Sequence, residues 1–180
     1  MNMNHIFLTT LFFCFFLYSC GGYKVLTIEN DGNYLKIFRM SGNFTPVDKN
    51  ILGPYGNFQI SGETKISKSD SQKTFSLIVG CLVKDGFHIK QGESLGLIID
   101  GKSIRLTKNQ IPFKTEEVTM SRQKYTLELA WFELDKSTFL EFMEATQIEF
   151  IVEGEKGLIS GNLTQENLKN FRAFINNYVL

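Results

Sequence analysis

The chain has 180 residues, of which 43% are hydrophobic, with 19 Lys and Arg balanced by 19 Asp and Glu. That length and apolar content suit one domain with its own core. The charge balance argues against the basic face of a nucleic-acid binder and against electrostatic docking on an anionic membrane.

Ile6 to Tyr18 form an almost wholly apolar run that ends at Ser19-Cys20-Gly21-Gly22. A membrane-spanning helix needs about 20 apolar residues, so this run is too short. A short apolar run followed by small residues is the pattern of an export signal with its cleavage site. The preceding Met1-Asn2-Met3-Asn4-His5 carries no Lys or Arg. Leu17-Tyr18-Ser19-Cys20 resembles the lipobox of bacterial lipoprotein precursors. The resemblance is confined to this N-terminal segment. It implies that residues 1–19 are a cleaved signal, that the Cys20 thiol carries a lipid, and that the new amino group is often acylated. Each buried methylene of such a lipid contributes about 0.8 kcal/mol, and two or more chains hold stably. Residues 20–22 are then a minimal tether and residues 23–180 one globular domain. In lipoproteins of diderm bacteria, Asp after the Cys is the inner-membrane retention signal. Gly21 stands there, which favours the outer membrane and leaves the leaflet open.

Further along, Tyr23 to Ile28 and Leu35 to Met40 are predicted strands. Residues 43–57 form a loop broken by Pro46, Gly53-Pro54 and Gly56. Phe58 to Ser61 is a short extended piece, and polar residues 65–73 are a turn or mobile loop. In the next strand Phe75, Leu77, Val79, Cys81 and Val83 alternate on one face, up to a turn at Asp85-Gly86. Strands around residues 95–99 and 104–106 flank Asp100-Gly101, a hairpin signal because Gly accepts the positive φ of such a turn. Tyr125, Leu127, Leu129 and Trp131 alternate with Thr126, Glu128 and Ala130, predicting a half-buried strand with the first set inward. Residues 147–153 and 157–163 form a second hairpin.

Two helices follow the same logic. Thr138 with Glu141 has capping-box spacing and opens a short helix near 138–145. Thr164 is an N-cap for an amphipathic C-terminal helix near 165–178, whose Leu168, Phe171, Phe174, Ile175 and Tyr178 make one apolar stripe. Many short strands with two late helices predict an α+β, mostly β domain. It is an antiparallel sandwich or curved sheet with the C-terminal helix packed on it.

Chemistry is sparsely encoded. Of three cysteines, Cys14 lies in the signal and Cys20 carries the lipid, so Cys81 has no disulfide partner and is expected to sit inert in its apolar strand. Outside the signal His88 is the only histidine. No nucleotide-binding, zinc-protease, calcium-loop or nucleophile-elbow motif occurs, so neither metal, cofactor nor catalytic residue is assigned. Glu116-Glu117 and Glu153/Glu155 are acidic pairs expected to be solvated, since paired-carboxylate hydrolysis needs a set separation and one raised pKa. Asn43-Phe44-Thr45 and Asn162-Leu163-Thr164 match the N-glycosylation pattern, which a bacterial lipoprotein seldom uses. The loop Gly53-Pro54-Tyr55-Gly56-Asn57-Phe58 offers Tyr55 and Phe58 as a candidate binding loop, or as a plug at one end of the fold.

The expectation is therefore a lipid-anchored envelope lipoprotein that binds a partner, an envelope protein or a cell-wall component, without catalysis. The alternatives are an envelope hydrolase using carboxylates or His88, and a purely structural surface protein. The anchor has a direct check. Cys20→Ala should abolish metabolic labelling with palmitate and leave an unprocessed or soluble product; a variant that still labels would overturn the assignment.

Overall fold

The computed structural model describes residues 22–180, so the signal and Cys20 lie outside the described residues. Nine strands form one sheet: β1 (Lys24–Asp31), β2 (Tyr34–Ser41), β3 (Asn57–Ser67), β4 (Lys73–Lys84), β5 (Gly92–Ile99), β6 (Lys102–Met120), β7 (Gln123–Leu134), β8 (Ile148–Gly154) and β9 (Gly157–Asn162). Three helices join them: α1 (Lys49–Leu52), α2 (Lys136–Glu144) and α3 (Gln165–Tyr178). The strand order is β1-β2-β3-β4-β7-β6-β5-β8-β9, and every adjacent pair runs antiparallel. The domain is α+β and mostly β, an open antiparallel sheet with a C-terminal helix.

The sheet is folded over on itself. β6 is the long strand that makes this happen. Its first part pairs with β5, its last part pairs with β7, and the β7 register slips between Lys108 and Phe113. A slip of this kind bends a strand and sharpens its twist. Phe58 of β3 consequently stacks on Phe150 of β8, with ring centroids 5.1 Å apart, although four strands separate β3 from β8 in the sheet order.

The space inside this fold is filled by α2 and α3. Phe139 and Phe142 of α2 meet Phe171 of α3 at centroid distances of 6.3 and 4.8 Å. One large core joins these rings to Phe75, Leu77, Val79, Cys81 and Val83 of β4, the predicted apolar face, and to the inner residues of β5 and β8. Thr164 caps α3, with the Asn167 N–H donating to Thr164 Oγ1 at 3.1 Å and the Thr164 N–H donating to Asn167 Oδ1 at 2.9 Å. Gly62 of β3 lets the helices close on the sheet. A Cβ there would lie 2.7 Å from Phe139 Cζ and 3.2 Å from Phe174 Cδ1.

Several expectations are corrected. The N-cap of α2 is Asp135, not Thr138; its carboxylate accepts from the Thr138 N–H at 2.6 Å, one turn earlier than the capping-box reading. Polar residues 65–67 belong to β3 and Lys73 to β4, leaving a shorter turn than predicted. They extend because Glu63, fully buried, is held by Arg39, by Lys65 at 3.1 Å and by Trp131 Nε1 at 3.0 Å. Glu116 and Glu117 lie within strand β6. In β7 the predicted inner face is the outer one. Tyr125, Leu127, Leu129 and Trp131 form a second cluster with Ile78 and Leu82, while Ala130, Phe132 and Leu134 face the main core. Both faces of this strand are buried, so alternation alone picks neither.

Two outcomes check this packing. Gly62→Ala should lower the stability measured by urea unfolding by about 1–3 kcal/mol, the usual penalty of overpacking. The second concerns Asp100, whose carboxylate accepts from Thr146 Oγ1 at 2.7 Å and from the Gln147 N–H at 2.9 Å. The Thr146 hydroxyl first, then the two backbone N–H groups, hold its pKa below the ordinary value. A depressed native pKa stabilises above the unfolded pKa and loses that contribution as pH falls through the native one. The stability gap between wild type and Asp100→Asn should thus be constant near neutrality and close below about pH 4.

Candidate binding groove

The β2–β3 connection, residues 42–56, borders a groove. Gly42 turns it with φ +77°. Phe44 then bridges Gln59 of β3, and the Thr45 N–H donates to the Phe58 carbonyl at 2.9 Å. Asn43 is fully buried and fixes the turn from three sides. Its Nδ2 donates to the Ile60 carbonyl at 2.8 Å, and its Oδ1 accepts from Asn167 Nδ2 at 2.9 Å and Asn170 Nδ2 at 3.1 Å. Asn167 Nδ2 also donates to the Phe44 carbonyl at 2.9 Å. The start of α3 is thereby stitched to the connection.

Between the stitched segment and the start of β3 lies a groove of about 350 Å³, within the range of small-ligand sites. Phe44, Pro46, Val47, Leu52 and Phe58 supply its apolar lining, and Thr45 and Asn57 its polar one. Thr45 Oγ1 and Asn57 Oδ1 are both buried without a hydrogen-bond partner. Leaving such a group unmet costs about 1–3 kcal/mol, so native folds pair nearly all of them. A hydroxyl can donate or accept and an amide oxygen only accepts. Both atoms are shielded from solvent within residues that line the groove.

The two candidate loop residues are separated by the fold. Phe58 lines the groove with its ring in the core, as half of the stack with Phe150. Tyr55 is about half exposed and turns to the other side of the sheet. There its hydroxyl accepts from Ser121 Oγ at 3.0 Å, and its ring meets Tyr125 edge-on at 6.1 Å. The loop Gly53 to Phe58 thus sends its two aromatic residues to opposite faces of the sheet. The groove residues Phe44 to Val47 lie upstream of it and carried no motif beyond the glycosylation pattern, whose Asn43 is buried and inaccessible.

The other singled-out residues stand apart from the groove. Cys81 is fully buried, and burial first, then the Glu128 charge, pushes its thiol pKa well up, which keeps it unreactive. His88 is exposed, with φ +58° and its ring over Gly86. Glu153 pairs with Arg105 at 2.8 Å, and that contact holds its pKa below the usual range, the opposite of what a general acid needs. Adjacent Glu116 and Glu117 point to opposite faces of β6. Among the described residues no group of three or more His, Cys, Asp or Glu could hold a metal ion.

Like Glu63, a second buried carboxylate escaped the sequence reading. Glu128 of β7 is fully buried and accepts the N–H groups of Phe87, His88 and Ile89 at 2.8, 2.7 and 2.9 Å. Beside it Lys108 Nζ donates to the Ile89 carbonyl at 2.7 Å. Burial lowers the Lys108 pKa, and Glu128 with Glu155 opposes that effect. The arrangement clamps segment 87–89 as a plug, with Phe87 pressed against Gly154. Its oxygens are committed to backbone, so its role is structural. The chain matches no protein-family model, no curated protein and no solved structure in the comparisons made.

The two orphaned groups give a signature that distinguishes a ligand site from ordinary packing. Thr45→Val removes the unmet hydroxyl at nearly constant shape. It should leave the ligand-free protein as stable or up to about 1 kcal/mol more stable in urea unfolding. A loss of more than 1 kcal/mol would mean that the hydroxyl has a partner in solution.

Proposed function

We propose that this protein is a lipid-anchored lipoprotein of the bacterial cell envelope, and that it works by binding rather than by catalysis. The lipobox-like Leu17-Tyr18-Ser19-Cys20 supports the anchor, and Gly21 after it supports the outer membrane. The binding reading rests on one observation: an apolar groove of about 350 Å³ whose lining residues Thr45 and Asn57 carry side-chain oxygens that are buried and unpartnered. An apolar cleft with a few polar groups that fix orientation is the usual form of a small-molecule site. The ligand class that fits is an aliphatic chain or apolar side chain bearing a hydroxyl or amide N–H. Envelope partners of that chemistry include a lipid-derived alcohol and an exposed peptide segment.

A pair of matched probes tests the reading. 1-Octanol offers an alkyl chain with one O–H donor, and octyl methyl ether offers the same chain without it. Octanol should raise the unfolding temperature of the soluble domain more than the ether at equal concentration. Thr45→Val with Asn57→Leu should erase the difference. Equal effects of the two probes on the wild-type domain would sink the proposal that this groove recognises a donor.

A further inference from the structure

The first described residues and the groove lie at one end of the sheet. β1 begins there, since Lys24 pairs with Ser41, the last residue of β2. β3 starts and β4 ends at that side, with Asn57 opposite Leu82. The β6–β7 hairpin turns at the same end, with Met120 opposite Gln123. The turns near Gly32 and Asp70 lie at the far end. Chain entry, connection 42–56 and hairpin tip therefore share one surface.

Length decides how that surface sits. Tyr23 is fixed in the fold: its side chain packs against the main core, and burial, with the Tyr178 phenol nearby, pushes its pKa up to about 12. In a lipoprotein cut before Cys20, only Cys20, Gly21 and Gly22 would precede it, a reach of about 10 Å when fully extended. Glu63 pairs with Arg39, so Ser61 of β3 lies about level with Ser41 and Asn57 overhangs the start of β1 by about four residues, or roughly 13 Å. From Tyr23, one residue nearer that end than Lys24, the overhang is about three residues, roughly 10 Å, so the fully extended tether only just reaches its tip.

The connection at this end has the chemistry of a membrane interface. Ile51 is 39% and Tyr55 49% exposed, two of the few large hydrophobic side chains left open, and Pro54 between them is exposed too. Tyrosine concentrates where lipid meets water because its ring is apolar and its hydroxyl wet. The exposed cations Lys24, Lys84, Arg122 and Lys124 are nearly offset by Asp48, Asp85 and Glu117.

We infer that the β2–β3 connection is a membrane-contact surface. The lipid on Cys20 draws Ile51, Pro54 and Tyr55 onto the bilayer and holds the groove beside the lipid headgroups. The inference rests on the lipoprotein reading. With charges nearly balanced, the contact is apolar and persists at high salt.

The test uses the lipidated protein in phosphatidylcholine vesicles. Cys81 is buried, so a single surface cysteine can be labelled. Pro54→Cys and Arg122→Cys report on the anchor end and Ser69→Cys on the far end, each carrying an environment-sensitive fluorophore. Vesicles containing brominated lipid should quench the Pro54 probe at least about threefold more than the Ser69 probe, with the Arg122 probe also quenched above Ser69 and the pattern unchanged in 1 M salt. Equal or absent quenching at Pro54 and Ser69, with palmitate labelling intact, overturns the docking and leaves the anchor standing. A wild-type chain that takes up no palmitate removes the lipoprotein reading itself, and this inference with it.

Discussion

The amide junction of Asn43 and Asn167 is the contact on which the rest of the fold leans. A buried amide is costly unless its donors and acceptors are met. Here Asn43 reaches the Ile60 carbonyl, Asn167 and Asn170, while Asn167 reaches Thr164, Asn43 and Phe44. One cluster of polar side chains thus fixes the path of the β2–β3 connection, the start of α3 and their distance from β3. Losing either Asn would strand its partners in a low-dielectric site, where such networks fail together. The groove exists because this junction holds its wall in place.

Set against that completeness, the unmet groups are informative. Glu63 is met by Arg39, Lys65 and Trp131, and Glu128 by three backbone N–H groups, so the two deeply buried carboxylates are compensated. Each would cost several kcal/mol if left alone. A fold that satisfies its charges this fully leaves Thr45 Oγ1 and Asn57 Oδ1 unmet beside the groove. Side-chain atoms of Gln59, Ser61, Thr64, Ser94 and Gln123 are also unmet, away from the groove, with Gln59 packed across Gly80.

Much of the architecture was legible in the sequence. The alternation of Phe75 to Val83, the Asp100-Gly101 turn with both φ values positive, and the Thr164 cap with its apolar stripe each carry a local signal, and each holds. What failed was set by long-range contacts. The face of β7 could not be chosen because Leu129, Ala130, Trp131 and Phe132 are apolar at both parities, which is itself the mark of a strand covered on both sides. β3 runs on through Glu63 because Arg39 and Trp131, distant in sequence, neutralise it. The groove was illegible for the same reason: Thr45 and Asn57 are ordinary polar residues until the connection folds back. Glu128 could have been suspected, since a Glu between Leu127 and Leu129 must either break the pattern or find partners.

The position of α3 in the chain has a consequence for how the molecule is made. It follows all nine strands, yet it supplies Phe171, Phe174 and Ile175 to the centre around which the sheet closes. Before it has left the ribosome, the strands have no helix to wrap and the Asn43 junction has no second half. Pairings between distant segments form slowly in any case. The core around Phe139 and Phe142 is therefore completed only by the last element of the fold.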